Sequence, residues 1–158
     1  MSEDLADLDI QEGINMTIML AQAPQVMFLH SRTRTEAINA LVGVLNVDQK
    51  VVFDAVMQRE RVISTGIGIG IAIPHARIAS IEDFSVVIGI VKHDGIEWDA
   101  IDNLPVKLIL LICGPDDRHR EYLQLLSELT KKIKQEDVRQ ALFSAKAEEE
   151  VVKIFEEC

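Results

Sequence analysis

The chain has 158 residues, enough for one domain that buries about 70% of its unfolded surface without a disulfide or metal staple. Sixteen Lys and Arg against 26 Asp and Glu give a net charge of −10, which argues against nucleic acid and against an anionic membrane surface as partners. Two cysteines without a CxxC pair argue against a thiolate metal site and for a reducing, cytoplasmic setting, while four histidines leave few groups for nucleophilic chemistry.

Residues 1–12 carry five acids and no base, the reverse of a secretory signal. They are read as an acidic N-terminal stretch, a candidate for disorder, ahead of a single domain over residues 13–158. The longest apolar run, Leu108–Cys113, is far short of a membrane span, so no membrane insertion is expected. Residues 14–22 suggest a short helix stopped before Pro24, and residues 25–30 a strand. Thr33 and Glu36 stand at capping-box spacing, followed by Ile38, Leu41, Val42 and Leu45 at helical spacing. Asp48 is a candidate N-cap for a second helix that turns Val52, Phe53 and Val56 to a core and ends near Arg61, where Ser64, Thr65 and Gly66 break it.

The middle of the chain reads as strands at Ile71–Ile73 and Phe84–Lys92. Asp94-Gly95 is a tight-turn signal, which predicts that Ile96–Trp98 pairs back onto the preceding strand. Val106–Cys113 is apolar almost throughout, as a strand buried on both faces requires. After Gly114-Pro115, Asp116 or Asp117 is expected to cap a helix with an apolar stripe of Leu123, Leu126, Leu129 and Ile133. Two more helices follow at about 137–144 and 147–157. A sheet buried on two faces needs two helical layers, so the expected fold is α/β: a three-layer α/β/α sandwich with a mixed, roughly five-stranded sheet.

Residues 59–77 read RERVISTGIGIGIAIPHAR. Gly66, Gly68 and Gly70 lead into a short strand and then Pro74-His75. The spacing is not G-x-G-x-x-G, and the strand follows the glycines, so the dinucleotide-binding context fails; no GK[ST] marks a P-loop. Such a loop can offer backbone N–H groups to an anion beside a rigidly held histidine. It is equally compatible with a glycine-rich bulge next to a surface histidine.

STGIGIGIAIPHA, preceded by Arg59-Glu60, closely resembles the phosphorylation-site motif of the fructose/mannitol-type IIA proteins of the bacterial phosphotransferase system. WDAIDNLPVKLILLI and YLQLLSEL resemble that family's later shared stretches, and the resemblance runs from about Met16 to Phe155. The wording DAIDN, Asp99–Asn103, most resembles the nitrogen-regulatory branch. The resemblance implies an α/β/α sandwich and a phosphoacceptor at the IPH histidine, His75. It implies a phosphohistidine donor on an HPr-like or NPr-like carrier and onward partners such as a IIB domain or a regulatory target. It implies no metal and no cofactor. Arg59 matches the arginine of the family's RE pair and would stabilise phosphoryl charge. Ser64 and Thr65 are candidate hydroxyl donors to phosphate, and Gly66, Gly68 and Gly70 candidate amide donors.

Many family members carry a second histidine where this chain has Tyr122. Three readings stand open: His119 replaces it from one helical turn away, the Tyr122 hydroxyl faces the phosphate, or His119 is a solvated residue between Arg118 and Arg120. His30 is expected to be half-buried at a strand end and His93 exposed before a turn. For the whole chain the expectations are a phosphoryl-accepting regulatory IIA component, a soluble IIA subunit of a fructose- or mannitol-type transporter, or a non-catalytic interaction module on the same fold.

Overall fold

The structure is a computed structural model that describes residues 23–156. The expected helix at 14–22 and the acidic stretch 1–12 lie outside the described residues. In chain order the elements are β1 (Gln25–Leu29), α1 (Arg34–Val42), α2 (Gln49–Val62), β2 (Gly66–Gly68), β3 (Ile71–Ala72), β4 (His75–Arg77), β5 (Ser85–Val91), β6 (Leu108–Gly114), α3 (His119–Ile133), α4 (Glu136–Ser144) and α5 (Glu148–Glu156).

The sheet is organised around β6, every residue of which is buried. Its side chains alternate between two cores, as the pleat requires. Leu108, Leu110 and Ile112 enter one core with Tyr122, Leu125, Leu129, Leu142 and Phe155 of α3, α4 and α5. Ile109, Leu111 and Cys113 enter the other with Ile38, Leu41, Val52 and Val56 of α1 and α2. Two helical layers thus enclose a mixed sheet of order β1-β5-β6-β3-β2, with β4 also paired to β6. The pairs β1/β5, β3/β6 and β4/β6 are parallel; β5/β6 and β2/β3 are antiparallel. The sandwich expected from sequence is the one observed, with six strands among the described residues rather than about five. The short β2 and β4 carry glycine, histidine and arginine in place of an apolar run, which is why periodicity alone passes over them.

The helix starts follow local chemistry. Thr33 Oγ1 accepts from Glu36 N–H at 3.1 Å, and Asp48 Oδ1 accepts from Val51 N–H at 3.3 Å. The start of α3 differs from expectation: Arg118 occupies the cap position without a side-chain cap, and Asp116 and Asp117 still belong to the turn before it. The buried stripe of α3 is Tyr122, Leu125, Leu129 and Ile133, while Leu123 is 48% exposed. One residue is about 100° of helix, so Tyr122 and Leu123 cannot both face the sheet, and Tyr122 takes the inward place. Ile96 bridges Val106 instead of returning to β5, because both edges of β5 are already taken by β1 and β6.

One buried carboxylate ties the end of α2 to the segment before β2. Glu60, 3% exposed, accepts from Thr65 N–H at 3.1 Å and from the Thr65 hydroxyl, and receives the Trp98 indole N–H at 3.4 Å. Arg34 lies 3.6 Å away as its counter-charge and also donates to the Trp98 carbonyl at 3.1 Å. A buried carboxylate persists only with such partners.

Two expectations test this packing. Leu125→Ala should cost about 2–5 kcal/mol in chemical denaturation, whereas Leu123→Ala should stay within about 0.5 kcal/mol of wild type. Glu60→Ala leaves buried donors and the Arg34 charge without their partner, and should cost about 3 kcal/mol by the same measurement.

Candidate functional site

Ile73 and Pro74 interrupt the strand line between β3 and β4. The Ile73 N–H turns to the Thr65 carbonyl (3.0 Å), and the Pro74 carbonyl receives Ile112 N–H (3.0 Å). Proline has no N–H to lose here, and its fixed φ leads the chain straight into His75. His75 then pairs with Ile112 as the first residue of β4. Its Nδ1 lies 2.9 Å from the Ile73 carbonyl. A carbonyl can only accept, so Nδ1 carries the proton and Nε2 holds the free lone pair.

Ala76 packs into the α1/α2 core, so His75 and Arg77, one residue to either side, project from the opposite face of β4. On that face they meet Tyr122 of α3. The His75 and Tyr122 rings are 6.0 Å apart at 41°, and the Arg77 guanidinium lies 5.1 Å from the Tyr122 ring centre. Arg77 Nη1 donates to His119 Nδ1 at 2.9 Å, and Nη2 donates to the Asp116 carbonyl at 2.8 Å. Arginine can only donate, so His119 accepts here as a neutral imidazole. Arg59 reaches from the last turn of α2, donating to the Ile63 carbonyl at 2.9 Å. Gln58, Arg59, Val62, His75 and Arg77 line one open cleft of about 410 Å³.

The electrostatics follow from burial and these cations. Burial, and then the Arg59 charge, pull the His75 pKa below its usual 6.5, against the opposing effects of the Ile73 hydrogen bond and Glu60. Neutral imidazole is therefore the resting form at neutral pH. Burial pushes the Tyr122 phenol up, opposed by the charges of Arg77 and Arg59, so Tyr122 stays neutral.

The other candidates sit differently from the sequence expectation. The Ser64 hydroxyl donates to the Trp98 carbonyl (2.9 Å) and accepts from Gly66 N–H (3.1 Å). It opens on a separate cleft of about 830 Å³ with Arg34, Ile63 and Ile101. Thr65 is spent on Glu60. Gly68 (φ 93°) and Gly70 (φ 80°) shape the tight turn between β2 and β3, conformations that favour glycine. Gly70 is five residues before His75 along an extended chain, roughly 16 Å away. The turn is braced instead by the loop after Trp98: Asp102 accepts from Ile69 N–H at 2.9 Å, and Ile101 N–H donates to the Gly66 carbonyl at 3.3 Å. The amides of Ile69 and Leu104 hold the Asp102 carboxyl below its usual range. Gly68 and Gly70 thus shape the hairpin that leads to His75, and the Gly66 N–H is committed to Ser64.

His119 is exposed, as the solvated reading has it, yet its Nδ1 is committed to Arg77. His30 is exposed where half-burial was expected. His93 is half-buried where exposure was expected, because it links two loops: Nε2–H donates to the Ser31 carbonyl (2.6 Å) and Nδ1 accepts from Gly95 N–H (3.2 Å). The residue that sequence reasoning passed over is Arg77. The signal was present, since two residues beyond His75 on a strand is the same face, but β4 itself was not foreseen. Among the described residues no group of His, Cys, Asp and Glu is placed to hold a metal ion, and no helix is long and apolar enough to cross a membrane.

Comparison with known proteins places this arrangement. The chain is 30% identical over 146 residues to the fructose-specific EIIABC component of a phosphotransferase system in Bacillus subtilis, covering 89% of this chain and 23% of that protein. It is 36% identical over 110 residues to the nitrogen regulatory protein of Escherichia coli, covering 70% of this chain and 68% of that protein. Its fold superposes on the nitrogen regulatory protein IIA-Ntr of Neisseria meningitidis with a TM-score of 0.81 at 27% identity, covering 89% of this chain and 99% of that one. Residues 20–158 match the family described as phosphoenolpyruvate-dependent sugar phosphotransferase system, EIIA 2, and the chain belongs to that family.

Proposed function

We propose that this chain is a phosphoryl carrier that accepts phosphate on His75 Nε2 from the phosphohistidine of an HPr-like or NPr-like protein, with a regulatory output. The observation that carries the reading is the 2.9 Å contact of His75 Nδ1 with the Ile73 carbonyl, which leaves Nε2 as the nucleophile. In the transfer, the P–N bond to the donor imidazole breaks as the bond to Nε2 forms. The proton stays on Nδ1, donated to the Ile73 carbonyl, and the donor ring leaves with its electron pair and its own ring proton. Charge develops on the phosphoryl oxygens in a loose transition state, and Arg59 is the cation offered from α2. Cys113, buried with its thiol pushed up to about 11, is not a competing nucleophile and suits the reducing cytosol in which we place the protein.

A IIA subunit serving a fructose-type transporter is the second reading, favoured by the B. subtilis similarity over 89% of the chain. The Asp99–Asn103 wording and the 0.81 superposition favour the regulatory one. Transfer of label from this chain to a fructose-type IIB protein would select the transporter reading.

Incubation with phosphoenolpyruvate and the donor relay should label the chain to one phosphate, and His75→Ala should take up none. A wild-type chain that stays unlabelled would refute the proposal. Because the His75 pKa is lowered, the neutral nucleophile persists above it and is lost as pH falls through it. The acid limb of single-turnover uptake from a pre-phosphorylated donor should therefore have its midpoint below pH 6.5. An NMR titration of His75 with a midpoint at or above 6.5 would contradict this.

A further inference from the structure

We propose that Arg77 is the second phosphoryl-binding cation of the site, holding the phosphoryl oxygens on His75 together with Arg59; this rests on the phosphoacceptor reading above. Arg77 stands two residues from His75 on the same face of a strand, so their Cα atoms are about 6.6 Å apart, within reach of a group carried on the imidazole. Both residues are among those that line one cleft with Arg59.

The guanidinium is held on three sides. His119 Nδ1 and the Asp116 carbonyl accept from its two terminal nitrogens at 2.9 and 2.8 Å, and the Tyr122 ring lies 5.1 Å from its centre. The third nitrogen, Nε, is buried, and its N–H has no hydrogen-bond partner. Arginine stems are ordinarily arranged to satisfy or solvate that group, since a buried N–H without an acceptor is costly. A phosphoryl oxygen on His75 Nε2 supplies the missing acceptor.

All the partners of Arg77 are neutral. Arg34 faces Glu60, and Arg118 faces Glu121 and Asp83, so those charges are compensated. Arg77, like Arg59, keeps its full charge for an anion. Tyr122, at the position where many family members carry a second histidine, then serves as the platform that holds Arg77, and His119 as the acceptor that fixes its rotation. Arg77 makes no covalent bond and moves no proton; it stabilises charge while the P–N bond to the donor breaks and the bond to Nε2 forms.

The test uses the full chain, phosphoenolpyruvate and the donor relay, with the initial rate of His75 labelling followed against carrier concentration. Arg77→Gln should lower kcat about 100-fold while leaving the KM for the carrier within threefold, the split expected of a group that acts on the transition state and not on docking. A kcat within threefold of wild type, or a loss confined to KM, overturns the proposal while leaving His75 as the acceptor. An unlabelled wild-type chain in the same assay removes the phosphoacceptor reading itself, and this proposal with it. Thermal unfolding of each variant is followed in parallel. If Arg77→Gln does not fold, Arg77→Lys carries the test: it keeps the stem and the charge but lacks the Nε–H, and should be at least fivefold slower in kcat. A wild-type kcat in Arg77→Lys then overturns the proposal.

Discussion

The hydrogen bond from His75 Nδ1 to the Ile73 carbonyl decides which ring nitrogen is free, and much of the surrounding structure serves to hold that carbonyl still. Ile73 is fixed by its own N–H on the Thr65 carbonyl. Thr65 is fixed through its amide and hydroxyl on Glu60, and Glu60 is held by Trp98 and Arg34. A chain of neutral and charge-assisted hydrogen bonds thus runs from a buried carboxylate on α2 to the imidazole on β4. Each link is individually modest in net energy, but those joining Glu60 to Thr65 and Trp98 are buried, where water competes least, so the geometry they impose is stiff. A tautomer set by a backbone carbonyl also has no titrating partner: it does not change with pH until the imidazole itself takes a second proton.

The three sequence stretches that carry the family resemblance converge physically. The glycine hairpin is braced by the loop after Trp98, through Asp102 and Ile101, and the Trp98 indole closes over Glu60 and Thr65. The third stretch supplies Tyr122, whose ring meets both His75 and Arg77. Asp99 and Asn103 adopt left-handed backbone (φ 63° and 60°), and Asp and Asn are among the residue types that tolerate it. The wording of that loop is therefore compatible with its path.

What the sequence made legible were features with a local cause. The caps at Thr33 and Asp48, the two-faced burial of β6 and the layering that follows from it are consequences of nearby residues or of composition alone. What it hid depends on partners distant in the chain. Leu123 and Tyr122 are both plausible core residues by pattern; only the approach of Tyr122 to β4 decides that Leu123 stays outside. Ser64, Thr65 and the glycines read as phosphate donors because their types suit the chemistry, yet Trp98 and Glu60 engage the two hydroxyl residues, and the glycine turn is braced by Asp102 at Ile69. Arg77 stands on a strand that periodicity does not reveal, and the groups that hold it, His119 and Asp116, lie about forty positions away.

The net charge of −10 sets the problem that the site must solve, since a group of nearly two negative charges has to settle on an already anionic protein. A cation paired with a carboxylate contributes little to that task, for its field is cancelled at close range. Arg59 and Arg77 instead spend their hydrogen bonds on two carbonyls and an imidazole lone pair, and Arg77 also lies over an aromatic ring. Such partners orient a guanidinium without neutralising it. A tyrosine beside Arg77 fits this better than a titrating residue would. A histidine in its place would gain charge on acidification and repel Arg77, whereas the buried phenol, with its pKa raised, remains neutral throughout the physiological range. On the proposed role of Arg77, tyrosine at 122 does not leave the site without a second anion contact; that contact comes from β4 and not from α3.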